Sequence, residues 1–145
     1  MLQYLDCGLN DVWLLNGYTE TETAYGPALA VQDISGLHRV IGLRIISDRP
    51  ELAPEELRFL RKEMDFSQRD LATALGVSES TWRNWETARV PVDASADKLL
   101  RLLYQEWATG DAHIRELVDR LAHLNREDHN RLVFESGQSG WRNAA

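Results

Sequence analysis

At 145 residues the chain has room for one ordinary domain or two small ones. Its 43% hydrophobic and 27% charged residues are those of a globular protein and argue against wholesale disorder. No apolar run is long enough for a membrane helix, the single Cys7 leaves no internal disulfide, and a formal charge of −7 counts at first sight against a nucleic-acid partner.

The N-terminus lacks the basic-then-apolar signature of a secretion signal, so a cytoplasmic setting is expected. Residues 1–50 read as strand and turn. Gly8, Gly17, Gly26, Gly36 and Gly42 recur between short β-rich stretches at Val12–Leu15, Tyr18–Thr23, Leu29–Ile34 and Val40–Ile46. Asn16-Gly17 suits a tight hairpin, because both central residues of such a turn need positive φ. The expectation is a small β-rich domain with a core of Leu5, Val12, Trp13, Leu15, Tyr18, Tyr25, Val31, Ile34, Val40, Ile41 and Ile45.

From Ala53 the apolar period becomes helical, with Ser47 to Glu51 as the linker. Residues 51–110 read as an all-α domain. Pro54 suits a first turn and Glu55 and Glu56 the positive end of a helix running to about Met64. Ser67 is placed to cap a helix over Gln68–Leu75, with Asp70 in the capping-box position and Gly76 ending it. Ser78 caps a further helix from Glu79 to about Thr87. Asp97–Trp107 is another helix. A last amphipathic helix begins near Asp111, its stripe formed by Ile114, Leu117, Val118, Leu121 and Leu124, and residues 136–145 follow residues 111–135 as a flexible tail. The fold class expected is therefore α+β: a small β-rich N-terminal domain, then an all-α domain of about five helices.

The series Ser67-Gln68-x-x-Leu71-Ala72-x-x-Leu75-Gly76-Val77-Ser78-x-x-Thr81-Trp82-x-x-Trp85-Glu86 resembles the helix-turn-helix of Cro/repressor (Xre-type) DNA-binding regulators. The opening Tyr4-x-x-Cys7-Gly8-Leu9, followed by Leu52–Glu86, is similar to the MqsA/YgiT-type antitoxin regulators of bacteria. The resemblance implies double-stranded DNA as partner, a homodimer on a palindrome, and a cognate toxin bound chiefly by the N-terminal domain. It also implies roles. Gln68 matches a phosphate contact at the start of the second helix, with Arg69 beside it. Ser78, Glu79, Ser80, Thr81, Arg83 and Asn84 fall on the reading helix, and Arg89 matches a basic phosphate contact just beyond it. Arg can fork onto guanine and Asn onto adenine, each such pair discriminating by about 1–3 kcal/mol. Glu79 can accept from cytosine, or serve only as an acid at a helix N-terminus.

That family holds zinc with two cysteine pairs. Here Cys7 stands with His38 alone, too few ligands for a closed site, so neither metal nor cofactor is expected and Cys7 reads as a small apolar residue. Trp82 and Trp85 read as core, and His113, His123 and His129 as exposed helix positions. No nucleophile triad, phosphate loop or metalloprotease motif occurs, so an enzyme is not expected. The amphipathic 111–125 stretch suits packing or dimerisation ahead of clasping a partner. The competing reading is a protein-interaction module that keeps the fold with little DNA affinity. Charge does not decide it, because residues 52–91 carry 6 bases against 7 acids and most of the acidity lies in the flanks.

Overall fold

The computed structural model describes residues 1–110, 113–116 and 133–144. The fold is α+β. Two short antiparallel pairs open the chain: β1 (Leu2–Gln3) with β2 (Trp13–Leu14), and β3 (Tyr18–Thr23) with β4 (Gly26–Val31). Helices follow as α1 (Ile34–Asp48), α2 (Pro54–Glu63), α3 (Gln68–Leu75), α4 (Glu79–Glu86) and α5 (Ala94–Thr109). The described chain ends in a hairpin of β5 (Phe134–Gly137) and β6 (Gly140–Asn143), where a frayed tail was expected.

Two expectations for the N-terminal region are corrected. The hairpin turn is Ala24-Tyr25, not Asn16-Gly17, in the register Thr23 opposite Gly26 through Tyr18 opposite Val31. Gly26, at φ 108, takes up the left-handed residue that follows a two-residue turn, so an Asn-Gly pair is not needed. Gln138-Ser139-Gly140 repeats the device between β5 and β6, with Gly140 also at φ 108.

The second correction is larger. Val40–Ile46, expected as a strand, lies inside α1, and the Leu29–Ile34 strand stops at Val31. Asp33 caps α1 by accepting from Gly36 N at 3.2 Å. Leu37, Ile41 and Ile45 recur every fourth residue, so the helix turns Ile45 into the core and packs on α5 and α2. At Gly42 the two helices approach so closely that a Cβ would overlap the Tyr104 phenol ring. β propensity yields to this packing because it measures fit to a half-buried surface rather than a fixed backbone preference.

The same change redistributes the expected N-terminal core. Ile45 is buried, while Val12 and Ile41 pack on the core from its edge. Leu5, Trp13, Leu15, Tyr25, Ile34 and Val40 are exposed. A single core instead joins Leu9 and Ile45 to Leu57, Leu60, Met64, Leu71, Trp82, Leu100, Leu103 and Tyr104.

Polar staples fix α1 on the helices behind it. Arg101 donates to Asp97 at 2.6 Å and to the carbonyls of Ile46 and Arg49, while Asp97 accepts from Leu52 N at 2.9 Å. Arg49 donates to Glu56, which also caps α2 by accepting from Ala53 N. The stretch read as a linker is thus bonded on both sides. His38 shares hydrogen bonds of 2.9 Å with Tyr4 Oη and Glu63 Oε1, joining the first strand region, α1 and α2.

Candidate nucleic-acid interface

The local chemistry of α3 and α4 follows the expected caps. Ser67 Oγ accepts from Asp70 N at 3.0 Å, and Ser78 Oγ accepts from Thr81 N at 3.1 Å. Gly76 ends α3 at φ 75, the left-handed conformation that turns the chain sharply into α4. Trp82 and Trp85 point inward, edge to face with ring centroids 5.9 Å apart, and both are buried. Apolar positions on one face leave α4 a polar outer face.

Glu79, Ser80 and Arg83 are exposed there, with Ser78 at the N-cap, and Thr81 and Asn84 are half-buried at the edge. Two of these side chains are committed to the cap, since Ser78 Oγ lies 2.7 Å from Thr81 Oγ1 and 3.2 Å from Ser80 Oγ. Arg83 Nη2 donates to Glu79 Oε1 at 3.0 Å, an exposed i,i+4 ion pair. The main-chain carbonyl of Asn84 accepts from Arg89 N at 3.0 Å, which closes the turn after α4 through Ala88 at φ 63. Arg89 is exposed beyond that turn and Arg69 is exposed on α3; neither has a side-chain partner among the described residues.

Gln68 is placed differently from a free phosphate contact. Its amide nitrogen donates to Glu86 Oε2 at 2.7 Å. Glu86 also accepts from Trp82 Nε1 at 2.8 Å and from the Arg61 guanidinium, whose Nη1 donates to the Phe66 carbonyl at 2.9 Å. The Glu86 side chain is 5% exposed and that of Arg61 11%. Burial alone would raise the Glu86 pKa, but the hydrogen bonds from Arg61, Gln68 and Trp82 outweigh it and hold the carboxyl below its ordinary 4.5. One carboxylate therefore joins α2, α3 and α4 and sets the angle of the two-helix unit. Sequence reasoning gave Glu86 no role. Its one available signal was the i,i+4 spacing from Trp82, whose indole needs an acceptor when buried.

The remaining candidates lie away from this face. Cys7 is half-buried, its Sγ 3.8 Å from the Tyr4 carbonyl, and burial raises its thiol pKa. Among the described residues no three His, Cys, Asp or Glu side chains converge on a point that could hold a metal ion. His113 is exposed beside Glu116. His123, His129 and the Leu117–Leu124 stripe lie outside the described residues. No described helix is long and apolar enough to cross a membrane.

No curated protein and no solved structure matches the chain. A family model described as a helix-turn-helix domain matches residues 55–104, from the first turn of α2 into α5. The chain therefore carries a helix-turn-helix domain at residues 55–104.

Proposed function

We propose that the chain is a sequence-specific transcriptional regulator rather than an enzyme, and that it acts as a homodimer on a palindromic operator. The observation that carries this reading is the α3–Gly76–α4 unit. Its inner face is filled by two buried tryptophans and locked by Glu86, while its outer face offers short polar groups and Arg83, the latter paired with Glu79. A helix so presented fits the major groove with its N-terminal residues at the base edges. Arg83 then forks onto guanine and Asn84 pairs with adenine. The N-terminus of α3 with Arg69, and Arg89 beyond α4, meet the flanking phosphates.

The test is selection of bound fragments from the source genome, followed by anisotropy titration of the recovered site. Arg83→Ala and Asn84→Ala should each weaken binding by about 1–3 kcal/mol and relax one base position. Undiminished binding by the double variant, with wild-type thermal stability, would remove these residues as readers.

Within this reading the chain is an Xre-type repressor in the cytoplasm of a bacterium, and the antitoxin of a toxin–antitoxin pair. The support is the resemblance of Tyr4-x-x-Cys7-Gly8-Leu9. Neutralisation of a toxic product from an adjoining reading frame tests it. The competing interaction module is favoured by one observation: Arg83 and Gln68 are already engaged by Glu79 and Glu86. That module would retain no DNA fragment even at low salt.

A further inference from the structure

Two of the exposed residues expected in the N-terminal core, Trp13 and Val40, meet beside α1; Trp13 is 55% exposed and Val40 65%. On one side of Val40 runs a groove of about 580 Å³ floored by Leu9, Leu14, Leu37, Ile41 and Ile45. On the other side a second groove of about 510 Å³ runs toward Gly36 and Val31, and the two share Leu14, Leu37 and Val40. Val40 is thus an apolar ridge between two depressions. A two-fold axis through such a surface sets the ridge of each copy into a groove of the other, which is the self-complementarity that a closed dimer requires.

The charges around these grooves select the same occupant. They comprise three carboxylates, Asp11, Asp33 and Asp48, and three guanidiniums, Arg39, Arg44 and Arg49. Arg44 is already paired with Asp48, and Arg49 with Asp11. Two copies that each carry −7 repel one another over most of their surface, so contact is least costly where the local charge is balanced. A strongly basic or acidic partner finds no matching field on this rim. No residue of α4 lines either groove, so a second copy seated here leaves the outer face of α4 uncovered.

We infer that the Val40 ridge of α1, with Trp13 and the two flanking grooves, is the homodimer interface of this protein. The inference rests on the dimeric reading proposed above, and it is tested without DNA so that the two can fail separately. Sedimentation equilibrium of the full chain at micromolar concentration should show a dimer. Val40→Glu places a charge on the apolar ridge and should raise the dimer dissociation constant by more than about tenfold. Its circular dichroism and melting temperature should stay close to wild type, since the side chain is exposed in the protomer. Trp13→Ala should weaken association in the same direction. Leu102→Glu, on the exposed side of α5, should leave it unchanged. A monomeric wild type, a Val40→Glu variant that remains dimeric, or dissociation by Leu102→Glu instead would each overturn the assignment. Half-site DNA affinity, measured separately, should be the same for Val40→Glu and wild type. Its absence in both would sink the DNA reading and leave the interface standing.

Discussion

Glu86 and Glu79 are acids seven residues apart on one helix, and their surroundings give them opposite consequences. Glu86 is buried and takes hydrogen bonds from three side chains, so its removal would leave the Arg61 charge and the Trp82 indole without their acceptor. Breaking a buried pair from one side costs about 3–5 kcal/mol, and Glu86→Ala should lower the urea midpoint accordingly. The pH dependence follows from the lowered pKa. The unfolded carboxyl binds its proton more readily than the folded one, so the stability Glu86 contributes is complete above its ordinary 4.5 and lost as pH falls through the lowered value. Glu86→Gln should flatten the acid limb of the stability curve in that window. Glu79 is exposed, and its ion pair with Arg83 adds little stability. On the proposed reading its weight lies in recognition, because it holds the guanidinium that we assign to guanine and would present a negative charge to the approaching phosphates. Glu79→Gln should therefore tighten binding to scrambled DNA while weakening the preference for the cognate site. Parallel anisotropy titrations of the two duplexes measure that ratio, and an unchanged ratio would reduce Glu79 to a helix-terminal acid.

At the scale of elements, α1 and α5 meet at one glycine. An alanine in a helix interior ordinarily stabilises by about 0.5–1 kcal/mol relative to glycine. At Gly42 the added methyl overlaps Tyr104, whose hydroxyl donates to the His38 and Arg39 carbonyls, so the sign should reverse. Gly42→Ala is expected to destabilise by about 1–3 kcal/mol, and shortening the opposing side chain in Gly42→Ala/Tyr104→Leu should recover part of the association of α1 with α5. Chemical denaturation of the two variants decides between overlap and propensity. This contact also explains where the sequence could be read and where it could not. The caps at Ser67, Ser78 and Gly76 act within one turn of chain, so residue type and spacing sufficed to place α3 and α4. Trp82 and Trp85 declared themselves as core by helical spacing. For Val40–Ile46 the β-branched residues pointed to a strand, and only the presence of α5 and α2, distant in sequence, makes the helix the better burial. Glu86 escaped notice for the same reason: its Arg61 partner lies 25 residues away, beyond any local period.

Over the whole molecule, the net charge of −7 no longer argues against DNA, because it says nothing about where the free cations lie. Within the candidate interface Arg69 and Arg89 are exposed and lack side-chain partners among the described residues, while Arg83 is shared with Glu79. On the proposed reading, so few phosphate contacts per protomer give weak nonspecific binding, and two protomers on one palindrome act together to hold a site. Salt dependence measures this directly. Each phosphate neutralised contributes about −0.9 to the slope of log K against log salt. Arg89→Ala removes one contact from each protomer, so the slope on a full palindrome should become shallower by about 2, and on a half-site by about 1. Uniform loss of affinity across sequences should accompany it, since a phosphate contact carries no base information. A change of about 1 on both duplexes would mean that only one protomer engages its half-site. An unchanged slope would place Arg89 away from the backbone and leave the N-terminus of α3 to hold the phosphates.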